Sequence, residues 1–234
     1  MDPAVYDRWY QTARGHWIGE REAELLLEGL TPRPGESLLD VGCGTGHFTR
    51  AMAERLDGPV SGVDLDPARV EYARAHDAGS VSYAIGDART LPYRDASFDL
   101  VMSVAALCFV DDEAAAVREI VRVTRRRFAI GLLNRHSLLW LREGRGGGRG
   151  GYRGARWHTV AEARDLMRGL PVRDIGVRTA IHLPGGGPAA RLVERVWPSR
   201  LPTGAFILAT GSRMQPDVPP VDLACSAAPT QETS

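Results

Sequence analysis

Lysine is missing from the chain altogether: all 29 basic residues are arginine. They are matched by 29 acids, for a formal net charge of zero, so the overall field does not attract nucleic acid or an acidic membrane surface. Cysteine is scarce. Cys43, Cys108 and Cys225 form no CxxC pair, which excludes a disulfide framework and a zinc knuckle and leaves reduced thiols and no metal as the expectation. No apolar run approaches the roughly 18 residues of a membrane span. The segment MDPAVYDRWYQTARG carries charges and aromatics where a secretory signal needs continuous apolar sequence, so a cytoplasmic setting is expected.

What is present is alternation. Short apolar runs at 37–41, 60–63, 81–85, 98–103, 127–133, 175–183 and 205–210 read as seven strands separated by helical patterns, the signature of βαβ units and a mainly parallel sheet. Phe48, Ala51, Met52 and Leu56 share one helical face. Asp66 before Pro67 supplies a cap and a first-turn proline, and Asp111 or Asp112 caps a helix that turns Val117, Ile120, Val121 and Thr124 inward. With 234 residues, one domain over 1–213 is expected. Three segments break the alternation: an aromatic and charged helical segment within 1–34, a Gly/Arg-rich loop at 142–157 and the stretch 214–234; residues 184–202 read as an insertion. The loop reads as mobile and is followed by a capping box of Thr159 and Glu162. The stretch 214–234, rich in Pro, Ser and Thr, reads as a flexible tail.

The chemistry concentrates in LLDVGCGTGHF, residues 38–48. A strand that ends in glycines and opens a helix exposes backbone N–H groups to a ligand, because no Cβ stands in the way. Gly42, Gly44 and Gly46 give G-x-G-x-G; a dinucleotide fingerprint needs glycine where this chain has His47. The next strand ends at Asp64, 22 positions after Gly42 (64 − 42), where a carboxylate can accept both hydroxyls of a ribose. A third strand ends in GDA, bringing Asp87 to the same sheet edge. The ligand therefore reads as a nucleoside without a pyrophosphate.

These motifs resemble the class I S-adenosylmethionine-dependent methyltransferases, in order and at family spacing: LLDVGCGTGHFT, VSGVDLDPARVEYAR and AIGDARTLPYRDASFDLVMS. The resemblance covers about residues 1–183 and the last strand, and is similar in detail to the type 11 and ubiquinone-biosynthesis group, whose members often begin with a motif like YDRWYQTARG. It implies an α/β, Rossmann-like, seven-stranded and mostly parallel sheet with helices on both faces, strand order 3-2-1-4-5-7-6, and S-adenosyl-L-methionine as cofactor. By that resemblance Asp40 and the backbone of Gly42, Cys43, Gly44 and Gly46 face the methionine part. Asp64 holds the ribose, Leu65 lies on the adenine, Asp87 and the Ala88 N–H read the base, and Ser103 borders the transfer site. Tyr6, Trp9, Tyr10 and Arg14 form a lid that, with Asn134, His136 and Trp157, faces a small-molecule acceptor. Two departures stand out: VTRRRFAIG replaces the usual Leu-x-Pro-Gly-Gly turn before strand five, and a habitual histidine pair after strand four reads Cys108 and Phe109.

No catalytic base is identified. His47, His136, His158 and His182 titrate in the right range, but none sits in a selecting constellation, and Cys108 reads as a small buried residue. Absence of a base does not exclude catalysis, since alignment supplies up to roughly 7–11 kcal/mol and a base about 10²–10⁴-fold. Arg145, Arg149, Arg153 and Arg156, interleaved with Tyr152 and Trp157, leave open an RNA or protein substrate. A non-catalytic cofactor-binding protein is the third reading.

Overall fold

The computed structural model describes residues 2–197 and 201–214. Two helices, α1 (Pro3–Gln11) and α2 (Ala13–Leu30), precede an alternation of β1 (Leu38–Val41), α3 (His47–Ala53), β2 (Val60–Asp64), α4 (Pro67–Ala75), β3 (Val81–Ile85) and β4 (Phe98–Val104). There follow α5 (Glu113–Val123), β5 (Thr124–Leu133), α6 (Val160–Asp165), β6 (Val172–Ala180), α7 (Pro188–Val196) and β7 (Phe206–Arg213). The strands form one sheet in the order β3-β2-β1-β4-β5-β7-β6, and only β7 runs antiparallel to its neighbours. Strand order reverses between β1 and β4, which opens a crevice at their carboxyl ends.

Burial explains the strand sequences. Leu38, Leu39, Val41, Leu100, Val101 and Met102 have almost no exposed surface, as expected of parallel strands covered on both faces by helices. Asp40 is the one charged residue of β1 and is 2% exposed. Local capping follows the sequence: Asp66 caps α4 through the Ala68 N–H, Asp112 caps α5, and Thr159 with Glu162 closes the capping box of α6.

Four segments differ most from the sequence reading. β5 begins at Thr124 rather than 127, because the C-cap of α5 is already the first strand residue; helix runs directly into strand, and no turn is needed. The three arginines there are held individually, Arg125 by Asp99 at 2.6 Å, Arg126 by Glu36 at 2.5 Å and Arg127 by the Gly29 carbonyl. β6 covers Val172–Ala180 rather than 175–183: an irregularity at Asp174 (φ 55°) lets the charged start pair with β7, and Ile181 (φ 64°) ends the ladder. β7 continues to Arg213 instead of stopping at 210.

The Gly/Arg segment is the fourth, and it is not patternless. It folds as a π-helical turn at Trp140–Gly144 and two 3₁₀ turns at Arg145–Gly147 and Gly150–Tyr152, with the Gly154 N–H donating to the Gly147 carbonyl at 2.9 Å. Tyr152 and Trp157 pack it onto the core. Residues 198–200 of the expected insertion, and the expected tail beyond Met214, lie outside the described residues.

Candidate active site

The glycine loop is shaped from both sides. Gly42 (φ 75°) turns the chain out of β1, and a Cβ there would strike the Ala106 methyl. Gly46 (φ 80°) is the N-cap of α3, where a Cβ would press on the Tyr83 hydroxyl and the Arg50 guanidinium. Gly44 (φ 54°) differs: nothing lies within 4 Å of the position its Cβ would take. So the outer glycines answer to packing, and the middle one faces open space that a ligand can fill. The Cys43 side chain points away from that space, into a small cluster with Val70, Ala73 and Tyr83, and burial pushes its thiol far up.

Asp64 stands beside the loop and is 8% exposed. Its two oxygens accept the N–H groups of Gly44 (2.8 Å) and Asp66 (2.9 Å), which leaves further acceptor capacity on each. Leu65, next in the chain, is 62% exposed at the rim. Across the rim Asp87 is clamped by Arg89, through Nε and Nη2 at 2.7–3.1 Å, and this hydrogen bonding draws its carboxyl below the ordinary range. Ala88 beside it is partly buried.

Buried polar atoms without a partner among the described residues include Asp40 Oδ1, Ser103 Oγ and the Tyr83 hydroxyl behind Gly46. Asp40 Oδ2 accepts from Thr49 Oγ1 at 2.8 Å, but burial outweighs that bond, and the carboxyl is pushed up to about 7. An orphaned carboxylate oxygen, an orphaned hydroxyl and an open glycine together fit a polar ligand bearing donors, such as the amino-acid part of the expected cofactor.

Helix α1 is fastened to this loop. Asp7 of α1 accepts from Thr45 Oγ1 (3.1 Å) and pairs with Arg50 (3.3 Å). Tyr10 stacks on His47, centroids 3.7 Å apart, and meets Trp9 and Phe48 edge-on; its hydroxyl lies 3.2 Å from that of Tyr6. Burial lowers His47 to about 4, so at neutral pH it is an uncharged platform for Tyr10. Arg14 is exposed and packs beside Gly186.

Two residues expected at the acceptor are buried. Asn134 is fully buried and saturated: its Nδ2 donates to the Pro202 and Gly204 carbonyls (2.8 and 2.6 Å), and its Oδ1 accepts from the His136 N–H. It fastens the chain after β5 to the chain before β7. Trp157 is 7% exposed and leans on Tyr152 within the core. His136 lines a separate, mostly apolar cleft of about 550 Å³ with Trp140, His182 and Trp197. Another cleft, about 610 Å³, holds the Glu113–His158 and Glu113–Arg156 pairs near α6. Neither includes a residue of the glycine loop.

Sequence reasoning passed over Asp7 and Glu22, and read Tyr152 only as part of the Gly/Arg stretch. For Glu22 a signal existed: Gly15, Ile18, Gly19, Leu25, Leu26 and Gly29 form the inward stripe of α2, and Glu22 interrupts it at helical spacing.

A family profile described as "Methyltransferase domain" matches residues 39–128. An uncharacterised protein of Mycobacterium tuberculosis is 35% identical over 196 residues, 79% of this chain and 63% of its own length. An O-methyltransferase of Penicillium expansum is 36% identical over 113 residues, 46% of this chain and 41% of its own. Among solved structures, a methyltransferase of Thermotoga maritima, titled SAM-dependent and a possible histamine N-methyltransferase, superposes with a TM-score of 0.69 at 25% identity, covering 90% of this chain and 95% of its own. This chain spans only 41–63% of the length of the two curated relatives. With the strand order and the glycine loop, these matches show that the chain belongs to the class I S-adenosylmethionine-dependent methyltransferases. Within that class it belongs to the type 11 group.

Proposed function

We propose that this chain transfers a methyl group from S-adenosylmethionine to a small-molecule acceptor, with oxygen as the favoured atom because curated relatives are named O-methyltransferases. The observation that carries the reading is the open space over Gly44, bordered by Asp64 and by the orphaned oxygen of Asp40. When bound there, the cofactor supplies a methyl on a sulfonium, an electrophile with a good leaving group already in place. The chain's own task is then alignment and exclusion of water.

In this reading Asp40 and the loop backbone take the amino-acid end, Asp64 the ribose, Leu65 the adenine face, and Asp87 with the Ala88 N–H the adenine edge. Ser103 borders the transfer site, and the lid residues Tyr6, Trp9, Tyr10 and Arg14 face the acceptor. Residues 1–213 act as one domain. No helix among the described residues is long and apolar enough to cross a membrane; a cytoplasmic setting belongs to the proposal, in keeping with the free, buried Cys43 and Cys108.

Calorimetric titration with S-adenosylhomocysteine tests the assignment. Asp64→Ala is expected to weaken binding by about 2–3 kcal/mol, roughly 30–150-fold. Equal affinity in variant and parent counts against the site.

A further inference from the structure

The cleft of about 550 Å³ is walled by Leu138 and Trp140 after β5, His182 after β6, Val193 and Trp197 on α7, and Thr203 just before β7. β5 and β6 end, and the antiparallel β7 begins, at the same edge of the sheet as the glycine loop. The rim occupies that edge from β1 to β3 and the cleft occupies it from β5 to β6, with β4 between them. Its size suits a small molecule, and most of its surface is apolar. Leu138 and Trp197 remain exposed at its mouth, surface that a hydrocarbon would cover.

Hydrogen bonds fix that wall. Asn134 Nδ2 grips the carbonyls on either side of Thr203, and Thr203 Oγ1 lies 3.0 Å from His182 Nδ1. On the other flank, Glu194 of α7 accepts the Ile181 and His182 N–H groups (2.9 and 3.2 Å) and pairs with Arg21 of α2 at 3.3 Å. Arg135, the arginine of the lining, is already paired with Glu162 at 2.7 Å, so its charge does not call for an anion. What is left over is one atom: His182 is 6% exposed, and its Nε2 has no partner among the described residues. A buried ring nitrogen without a partner is costly unless a ligand supplies one. Burial lowers the basicity of this imidazole, so at neutral pH one ring nitrogen is a donor and the other an acceptor. A hydroxyl suits Nε2 in either tautomer, because it both donates and accepts. A carboxylate or an ammonium suits only one, and would lose its own hydration against an apolar wall.

We propose that this cleft binds the body of an uncharged, largely hydrocarbon acceptor, and that a hydroxyl of that molecule hydrogen-bonds His182 Nε2. The role of acceptor rests on the methyl-transfer reading above; the binding site does not. From β5 to β1 is two strand spacings, about 10 Å, so a molecule anchored in the cleft can extend its other end across β4 to the transfer site. His182 then sets specificity away from the reacting atoms, while Asn134 and Thr203 are positioning residues that hold its ring.

Equilibrium dialysis against 4-phenylphenol, biphenyl and biphenyl-4-carboxylate, with S-adenosylhomocysteine present, tests the site. The parent should bind the phenol about 3–10-fold more tightly than biphenyl, the worth of one neutral hydrogen bond, and the carboxylate at least about tenfold more weakly than the phenol. In His182→Phe, which keeps a ring in place, the preference for the hydroxyl should vanish, an outcome that lost packing alone does not produce. Val193→Trp, which fills the cleft from α7, should weaken all three probes at least about tenfold while affinity for S-adenosylhomocysteine stays within about threefold. Absence of binding by any probe, no preference for the hydroxyl, a preference that survives His182→Phe, or affinities untouched by Val193→Trp would each overturn the site. With labelled S-adenosylmethionine the parent should methylate 4,4′-biphenol, which carries a hydroxyl at each end. Binding of that diphenol without transfer would overturn the acceptor role. Failure of the parent to bind S-adenosylhomocysteine would instead remove the methyl-transfer reading, and the dialysis would still decide the cleft.

Discussion

Two carboxyls without a counter-charge divide the molecule into two regions. Asp40 sits in the rim above β1 to β4, within a continuous stretch of chain whose geometry is made by backbone: three left-handed glycines, N–H groups of Gly42 and Cys43 on the Val63 carbonyl, and the Gly44 N–H on Asp64. Glu22 sits on the inward stripe of α2, at helical spacing from Gly15, Ile18, Gly19, Leu25, Leu26 and Gly29, where side chains rather than loop backbone make the surroundings. The rim can hold one kind of ligand wherever that backbone recurs. The second region depends instead on which side chains its helical spacing brings together.

The largest expected effect comes from breaking the far side of the sheet. Phe206 is 2% exposed, and its ring lies where a side chain on Gly131 would have to be. Phe206→Ala should cost about 3–5 kcal/mol, a fall in Tm of about 6–20 °C in a chain of this size. β7 is three strand spacings from β1, about 14 Å, so affinity for S-adenosylhomocysteine at a permissive temperature should change by less than about threefold. A larger loss would show that β7 and the rim are one mechanical unit. Thermal melts followed by calorimetry on the same variant decide it.

How far each region could be read from sequence follows from the same division. Strand ends carrying Asp64 and Asp87 are legible because sequence spacing fixes backbone spacing in a βαβ unit, and the resemblance added the strand order. The arginine run at the start of β5 was not, since whether a helix passes into a strand without a turn depends on Asp99 and Glu36, remote in sequence, neutralising Arg125 and Arg126. Asn134 looked available to a substrate because its partners, the Pro202 and Gly204 carbonyls, lie about 70 residues away and leave no local trace. Glu22 was legible through the broken stripe, but only by asking of an N-terminal helix which face is buried.

A second expected effect separates the two carboxyls by pH. Asp40 titrates at about 7 in the folded protein against 3.8 when free, so the fold holds its proton more tightly than the unfolded chain does. Its contribution is complete below about pH 4 and is lost as pH rises through about 7, by up to about 4 kcal/mol. Glu22, raised from 4.5 to about 8, contributes the same sign in a window reaching one pH unit higher. Denaturant titrations of the cofactor-free protein should therefore show stability falling from acid to neutral pH. Asp40→Asn should flatten the lower part of that fall and Glu22→Gln the upper part. Identical profiles in both variants would mean that the carboxyls titrate as one site and the division is false.

The smallest effect probes whether the rim reads a base or merely borders one. Asp87 is clamped by Arg89 across the surface, an exposed pair whose own worth is slight. If the carboxylate accepts from an adenine amine, it has lone pairs to spare beyond those Arg89 uses, and the arginine only orients it. Asp87→Asn should then weaken S-adenosylhomocysteine binding by about tenfold, the loss of one charge-assisted hydrogen bond, whereas Arg89→Ala should change it by no more than about threefold. Titration with an analogue lacking the exocyclic amine completes the comparison: parent and Asp87→Asn should bind it alike. Should Arg89→Ala prove the more damaging, the guanidinium rather than the carboxylate faces the base, and the adenine end of the rim is built from a cation.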